Sequence, residues 1–297
     1  MIRETVLFEE ELLDPKVDFV FKRIFGSAES SLPLLDLLNA IFAAQHQPLL
    51  NQITLLNPAL EQDWELDKTS ILDIRAITCQ GDAINIEMQM LNSGNFIKRT
   101  LYYWSELYGE HLQKGDDYHR LRRTITINLL NFKLFSRERL ISLYQLQEQT
   151  DHECLTDLMQ LVFIELDKPA WATQPLHLQQ WIRFLTVQDN DELKQLANEN
   201  PAIGEAYTML NYLSHDPEER RRYFRRKIAL MDLKSGLETA RAEGVAEGRA
   251  EGKAEGAQEA SFAVARRLLT LGMNLELISQ ATGLTVDQID ALREARP

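Results

Sequence analysis

Apolar residues recur every three or four positions between residues 14 and 47, and this period predicts two helices. The apolar positions of the first helix are Val17, Phe21, Ile24 and Phe25. Gly26 is expected to end this helix, because glycine favours helix C-termini. Either Ser30 or Ser31 is expected to cap the second helix with its hydroxyl group.

The pattern then changes to the two-residue alternation of β-strands. We predict strands over residues 51–56, 70–78, 83–91, 123–132 and 155–166. The pair Gly81-Asp82 separates the second strand from the third and indicates a hairpin. The fourth strand is almost continuously apolar or β-branched, which is typical of a buried strand. A helix over residues 95–113 is expected to connect the third strand to the fourth.

From about residue 175 onward the pattern is helical only, and its first apolar stripe consists of Leu178, Trp181, Ile182 and Leu185. Residues 242–257 read AEGVAEGRAEGKAEGA, with glycine at every fourth position. Four glycines, at about 1 kcal/mol each, make a weak isolated helix. This repeat therefore predicts a solvated helical linker or a coiled-coil stalk.

The last part of the chain, residues 260–292, predicts three short helices. Gly272 and Gly283 are expected as C-caps, and Thr285 with Gln288 fits a capping box. Short helices separated in this way are typical of a helix-turn-helix unit. A small dimerisation or packing tail is the alternative.

These elements predict an α/β protein with a mixed central sheet flanked by helices and an all-helical C-terminal extension. We predict four regions: residues 1–170 for the sheet domain, 171–235 for a helical extension, 236–260 for the linker, and 261–297 for the tail. Homo-oligomerisation is expected to involve the C-terminal helices, because a glycine-rich helix gains stability by pairing with another chain.

Charge and composition restrict the function. The formal net charge of −13 argues against a general nucleic-acid coat protein, although an enzyme that touches DNA at one cleft can be acidic overall. No run of eighteen apolar residues occurs and the N-terminus lacks the apolar segment of a signal peptide, so we expect a cytoplasmic protein without a membrane span. Cys79 and Cys154 have no ligand or disulfide spacing, and both are predicted to be buried.

The strand predicted over residues 83–91 carries the most informative polar pattern. Its two-residue period places Glu87 and Gln89 on the same face. Asp73 precedes Glu87 by fourteen residues, and a hairpin of that length can bring the two carboxylates together. Neighbouring carboxylates repel unless a cation lies between them, and Mg²⁺ prefers such oxygen ligands. The polar face of an ordinary amphipathic strand is the alternative, and spacing alone favours it.

Segments of the chain also carry a family resemblance, in the same order as in the family. They are LLDPKVDFVFKRIFG at 12–26, SLPLLDLLNAIF at 31–42, ILDIRA at 71–76, INIEMQM at 84–90, FIKRTLYYWSELY at 96–108, KGDDY at 114–118 and IELDK at 164–168. On these segments the chain resembles the Rpn family of recombination-promoting nucleases, which are also described as transposases. The Glu-Gly repeat and the TGLT of the tail resemble C-termini often attached to this family.

The resemblance implies a restriction-endonuclease-like PD-(D/E)XK core that cleaves double-stranded DNA with Mg²⁺ or another divalent cation. Asp73 matches the aspartate of the motif and Glu87 its second acid, which makes these two the implied metal ligands. Gln89 stands where the superfamily usually has lysine; glutamine is usual in the Rpn-like pattern, but it carries no charge. A protein that holds DNA or a partner without cutting is therefore the alternative.

Further candidates lie on the two helices next to these strands. Asp18, on the first helix, is a fourth catalytic candidate, and Lys22 one turn later is expected either to pair with Asp18 or to approach a phosphate. Arg99 and Tyr103, one turn apart after Gln89, are candidates for contacting phosphate or orienting the acids. Packing and surface ion pairs are the alternative for all four.

Two basic clusters are candidates for contacts with the DNA backbone. The first includes Arg122 and Arg123, just before a predicted strand, and the second spans residues 220–227. A solvated helix face is the alternative for both clusters. The six histidines show no paired ligand spacing, so zinc is not expected.

Overall fold

The computed structural model describes residues 11–27, 31–56, 74–92 and 94–294. In chain order the elements are α1 (Asp18–Phe25), α2 (Leu32–Ala44), β1 (Ile53–Leu55), β2 (Ile74–Thr78), β3 (Ala83–Gln89), α3 (Phe96–Gly109), β4 (Thr124–Leu130), β5 (Ile141–Gln147), β6 (Cys154–Glu165), α4 (Leu176–Thr186), α5 (Asn190–Glu199), α6 (Pro201–His215), α7 (Pro217–Thr270), α8 (Leu275–Thr282) and α9 (Val286–Glu294). The predicted α/β fold with a helical C-terminal region is confirmed.

One mixed sheet organises the first part of the chain. Its six strands lie in the order β1-β2-β3-β4-β6-β5. Strands β3, β4 and β6 are parallel to one another, whereas β1, β2 and β5 pair antiparallel with their neighbours. The predicted hairpin is confirmed, because β2 pairs with β3 and Gly81 adopts a φ of 88° in the turn. Such a φ is accessible to glycine at little cost.

Alternating side chains divide the sheet into two buried faces. On one face, β3, β4 and β6 contribute aliphatic residues to the main hydrophobic core, which they share with α1, α2, α4, α5 and α6. Trp181 of α4 is fully buried in this core. On the opposite face, Phe96 of α3 packs with Leu130, Leu161 and Phe163 in a smaller core. The predicted helical extension over residues 171–235 thus shares its main core with the sheet.

Asp36 of α2 joins three helices through one carboxylate oxygen. Its Oδ2 accepts hydrogen bonds from His177 Nε2 at 2.7 Å, Trp181 Nε1 at 2.9 Å and Asn200 Nδ2 at 3.0 Å. Burial raises the pKa of Asp36, but these hydrogen bonds and the His177 charge outweigh that effect and lower the pKa below its usual 3.8. The charged carboxylate therefore stabilises the packing of α2, α4 and α6.

A buried ion pair fixes the segment that follows β4. Glu165 is fully buried at the end of β6, and its carboxylate contacts Lys168 Nζ at 2.5 Å. The other carboxylate oxygen accepts from the backbone N–H groups of Leu134 and Phe135 at 2.6 and 3.0 Å. Lys168 Nζ also donates to the backbone carbonyls of residues 137 and 139. Both charges are thereby satisfied by hydrogen bonds, as buried charges must be.

The C-terminal unit, residues 232–297, has a separate small core. Ala265, near the end of α7, packs with Ile278, Leu284 and Ile289 of the α8–α9 region. Side chains over residues 241–260 of α7 are all exposed, which agrees with a solvated helix for the Glu-Gly repeat. The predicted capping box is confirmed by hydrogen bonds in both directions between Thr285 and Gln288, and Gly283 caps α8 in the left-handed conformation.

Three sequence expectations were wrong or incomplete. Cys79 and Cys154 are both exposed, because one lies in the β2–β3 turn and the other begins a strand. Ser31 precedes α2 but makes no capping hydrogen bond with its side chain. Its own backbone is already helical, and Pro33 removes one N–H group that a cap would bind. Strand β5 was not predicted. Ser30 lies outside the described residues.

Among the residues that the structure describes, no helix has the length and apolar character needed to cross a membrane.

Candidate active site

The candidate site begins on the polar face of β3. Ile84, Ile86 and Met88 of this strand enter the main core, so the residues between them point to the other face. Those residues are Asn85, Glu87 and Gln89. The carboxylate-bearing Glu87 is only 7% exposed, although it is an acidic residue in the middle of a sheet. Acidic side chains are rarely buried to this extent unless they are paired or bind a cation.

Three amide or guanidinium groups form a hydrogen-bonded chain around Glu87. Asn85 Nδ2 donates to Glu87 Oε1 at 3.3 Å, and Gln89 Nε2 donates to Glu87 Oε2 at 3.0 Å. Arg99 Nη2, from the first turn of α3, donates to Gln89 Oε1 at 2.8 Å. The two-residue period that sequence analysis identified therefore places Glu87 and Gln89 in direct contact. The position of Arg99 in the first turn of α3 brings its guanidinium group into the same network.

Strand β4 extends this polar face beyond β3. In the parallel register, Thr126 lies opposite Asn85 and Asn128 opposite Glu87. Both β4 residues are fully buried. Asn128 Nδ2 donates to the Val162 carbonyl at 3.2 Å, but its Oδ1 has no hydrogen-bond partner among the residues that the structure describes. Asn85 Oδ1 and Thr126 Oγ1 also lack partners within the described chain.

These unpartnered oxygens matter because buried acceptors are normally satisfied by protein, water or an ion. One nearly buried carboxylate beside neutral oxygen acceptors is a donor set that fits a hard divalent cation and its bound waters. Asn85, Thr126 and Asn128 were not selected from the sequence. The sequence nevertheless indicates the two β4 residues, because polar residues there alternate with Ile125, Ile127 and Leu129 in the same two-residue period as in β3.

Asp73, the second predicted metal ligand, lies outside the described residues, so its place beside Glu87 stays a prediction. The next residue along the chain, Ile74, pairs with Ile86, the neighbour of Glu87. Lys22 of α1 is 6% exposed, and both its side chain and that of Ile74 line the space beside the α-carbon of Gly26. Within the described segments, no group of three His, Cys, Asp or Glu residues is arranged to hold a metal ion.

Asp18 forms an ion pair with a distant helix. Its carboxylate accepts two 2.9 Å hydrogen bonds from Arg226 Nε of α7, and Arg226 Nη2 also contacts it. The hydrogen bonds to Asp18 and the charge of Asp18 raise the pKa of Arg226, and they outweigh burial. Asp18 therefore pairs with α7, and the alternative of an Asp18–Lys22 ion pair is not found among the described residues. The hydrogen bonds and ion pairs of the described residues do not include one between Asp18 and Glu87.

Tyr103 lies one turn after Arg99 on α3 and is partly buried, with its ring against that of Tyr102.

Arg123 forms an ion pair with Asp82 at 2.8 Å. Arg122 is exposed and donates to the backbone carbonyls of residues 119 and 121. Both arginines precede β4, at the opposite end of the parallel strands from Gln89. At about 3.3 Å per residue, a seven-residue strand separates the two ends by roughly 20 Å.

The arginines in the basic cluster of α7 differ in whether they form ion pairs. Arg222 and Arg226 form ion pairs with acidic residues of the same unit. Arg221 and Arg225 are exposed, one turn apart, and form no ion pair within the described chain. Phe224, which is 43% exposed, lies between them in the sequence. The candidate phosphate contacts of this cluster are therefore Arg221 and Arg225.

Comparison with protein families identifies two regions of the chain. The model of the family described as PD-(D/E)XK nuclease family transposase matches residues 15–240. The model described as Rpn/YhgA-like nuclease family, C-terminal HTH domain, matches residues 258–294. Comparisons with curated proteins and with solved structures gave no match. Because the first match covers more than half of the sequence, the chain belongs to the PD-(D/E)XK nuclease family transposases, with an Rpn/YhgA-like helix-turn-helix domain at its C-terminus.

Proposed function

We propose that this protein is a divalent-metal-dependent endonuclease that hydrolyses phosphodiester bonds of double-stranded DNA. The observation that carries the proposal is the buried Glu87 carboxylate, oriented by Asn85 and Gln89 on the polar face of a central strand. Membership in a PD-(D/E)XK nuclease family supports the reaction class. The role of Asp73 as the second metal ligand rests on the sequence motif.

Glu87 and Asp73 would hold the metal, with Mg²⁺ as the expected ion. When bound, such an ion supplies Lewis-acid polarisation of a phosphoryl oxygen and lowers the pKa of a coordinated water. The chain's own residues prepare the site for this ion. Asn85 and Gln89 each hold one Glu87 oxygen, which fixes the orientation of the carboxylate before the ion binds.

Contacts with DNA are proposed for residues around this site and for the C-terminal domain. Arg99 and Tyr103 lie on α3, whose first turn adjoins Gln89, and Lys22 lies on α1 near the start of β2. The C-terminal domain matches a helix-turn-helix description, which supports DNA as the partner. Its charge is a contrary feature, because α9 carries more acidic than basic residues. Contacts between the exposed arginines of α7 and the DNA phosphates would offset the unfavourable charge of α9.

A homo-oligomer through the C-terminal helices is also proposed. The part of α7 that belongs to the C-terminal unit has exposed apolar side chains at Leu233, Leu237 and Val245. Its glycines at 244, 248, 252 and 256 have open space around them, so another helix can approach closely. Pairing with a second copy would cover these apolar residues and stabilise the glycine-rich helix.

A DNA-binding protein with a weak or inactive site is the second candidate function. The observation in its favour is Gln89, a neutral residue at the position where the superfamily usually has lysine. The two functions predict different outcomes when DNA is bound in the presence of a divalent cation.

Nicking of supercoiled plasmid in Mg²⁺, with and without a chelator, tests the proposal. The parent chain should nick the plasmid only when Mg²⁺ is present, and both Asp73→Ala and Glu87→Gln should lose this activity. Glu110→Gln is the matched control, because it removes an exposed carboxylate from the end of α3. Equal nicking by the parent and Asp73→Ala would refute the assignment. DNA binding without nicking would favour the second function.

A further inference from the structure

We propose that Arg99 supplies the positive charge that Gln89 lacks, and that Gln89 transmits this charge to Glu87 through its amide. Arg99 is then a positioning residue of the nuclease site that polarises the network around the carboxylate. This inference rests on the proposed endonuclease function. It assigns to two side chains from different elements the role that a single lysine has in the superfamily motif.

The Gln89 amide is held in one orientation. Its oxygen accepts from Arg99 Nη2 at 2.8 Å, and its nitrogen donates to Glu87 Oε2 at 3.0 Å. Rotating the amide by half a turn would place its NH₂ group against the guanidinium donor and its oxygen against the carboxylate. Both contacts would then be repulsive. Arg99 therefore determines that Gln89 presents a donor to Glu87.

The positive charge of Arg99 strengthens both hydrogen bonds of Gln89. A guanidinium group stays charged at all ordinary pH values, so the hydrogen bond that it donates is charge-assisted. Hydrogen bonds in series polarise one another when they are shielded from water. The Gln89 N–H group is therefore a stronger donor than an amide in water, and Glu87 experiences part of the Arg99 charge. The carboxylate at the other end is nearly buried, which limits screening.

The fold holds Arg99 close to Gln89. Residues 90–95 connect β3 to α3, so Gln89 and Arg99 are separated by one short loop. Phe96 anchors the first turn of α3 in the smaller core, and the Arg99 guanidinium carbon lies 5.4 Å from the centre of that ring. A buried ring under the guanidinium restricts its motion and adds a cation–π attraction.

Arg99 also retains donors for a substrate. Of the five N–H groups of an arginine, one binds Gln89. The side chain is partly exposed, and no other acceptor for it occurs within the described residues. Planar arginine donors match two oxygens of a phosphate at once. The same group can therefore bind Gln89 on one side and a DNA phosphate on the other.

A lysine exchange in a double-mutant series tests this inference. The variants are Arg99→Gln, Gln89→Lys and the two together, with Lys98→Gln as the control. Lys98 is an exposed cation on the same turn of α3, and within the described part of the chain it forms no hydrogen bond or ion pair with the network residues. Each variant is assayed for plasmid nicking in Mg²⁺, for duplex affinity in Ca²⁺, and for Mn²⁺ affinity without DNA by calorimetry.

Arg99→Gln should lower the nicking rate by about 100-fold, as for loss of one preorganised donor, whereas Lys98→Gln should change it by less than about 3-fold. Adding Gln89→Lys to Arg99→Gln should restore at least about 10-fold, because an ammonium group then stands next to Glu87. Mn²⁺ affinity should rise in Arg99→Gln, since a repelling charge is lost, and should fall again in the double variant.

Two results would overturn the inference. One is a double variant that nicks no faster than Arg99→Gln, because the lysine would then fail to replace the charge that Arg99 is proposed to supply through Gln89. The other is an Arg99→Gln variant with the Mn²⁺ affinity and nicking rate of Lys98→Gln. A parent chain that neither binds Mn²⁺ nor nicks DNA would instead refute the proposed function, and the inference with it.

Discussion

Replacing Glu87 with leucine is expected to destabilise the fold, whereas replacing it with glutamine is not. Leucine leaves the amide groups of Asn85 and Gln89 without their acceptors in a buried site. Each buried donor that loses its partner costs about 1–3 kcal/mol. Leucine recovers part of this loss by burying apolar surface. The net difference in unfolding free energy between the two variants is therefore expected to be about 2–3 kcal/mol.

Glutamine at position 87 can be accommodated because one of its neighbours is free to rotate. Its amide oxygen can accept from Gln89, whose orientation Arg99 fixes. Its amide nitrogen then faces Asn85, and Asn85 can turn its own oxygen toward that nitrogen. This rotation breaks no other hydrogen bond, since Asn85 Oδ1 has no partner among the described residues. Glu87→Gln should thus unfold within about 1 kcal/mol of the parent.

Urea unfolding in the presence of a chelator measures this difference without a contribution from bound metal. Plasmid nicking in Mg²⁺ is measured on the same samples, and both variants should be inactive because neither retains the carboxylate. Glu87→Leu unfolding at the same urea concentration as Glu87→Gln, or at a higher one, would show that the Asn85 and Gln89 hydrogen bonds do not stabilise the fold. Glu87 would then not be the acceptor on which the two buried amides depend.

Three other predictions follow from charges and unit boundaries. The pKa of Asp36 is lowered in the folded chain, so its stabilising effect is present above its unfolded pKa near 3.8 and is lost as the pH falls through the folded value. The free energy of unfolding, measured with urea, should therefore decrease less between about pH 5 and pH 3 in Asp36→Asn than in the parent. Arg225→Gln should reduce the slope of log binding constant against log salt concentration for duplex DNA by about one unit. Arg249→Gln removes another exposed charge, from the Glu-Gly repeat of α7, and should leave this slope unchanged. Equal slopes for the two variants would exclude a specific phosphate contact by Arg225. A chain ending at Gly236 should stay folded and keep Mg²⁺-dependent nicking. It should lose oligomer formation in light scattering or lose affinity in a DNA-binding assay. A truncated chain that is folded and binds metal but does not nick DNA would show that the tail takes part in catalysis.

The part of the site that could be predicted from the sequence is the part set by local period. Alternation in β3 is enough to put Glu87 and Gln89 together, because successive side chains of a strand alternate between faces. Alternation in β4 places Thr126 and Asn128 on one face in the same way. Which residues lie opposite each other across strands depends on register, which hydrophobic period alone does not determine between distant strands.

Contacts between distant parts of the chain could not be predicted in this way. Asp18 and Arg226 are 208 residues apart, and only the packing of α7 against α1 brings them together. The exposed sheet edge explains why β5 was missed: as an edge strand its residues alternate only weakly in burial, so its pattern resembles a loop. The exposure of Cys154 has the same origin, since it lies at the end of the β5–β6 hairpin.

The buried pair formed by Glu165 and Lys168 should also protect the segment 131–140 from proteolysis. This segment has no helix or strand and carries several exposed basic residues, which are chemically suitable for trypsin. A protease needs an extended stretch of chain, and extending this one requires breaking hydrogen bonds to both buried charges. The repeat at 241–260 has exposed side chains and four helix-weakening glycines, so it can open locally at low cost. Among the described residues, trypsin should therefore cut the repeat first and release the helix-turn-helix domain from an intact sheet domain.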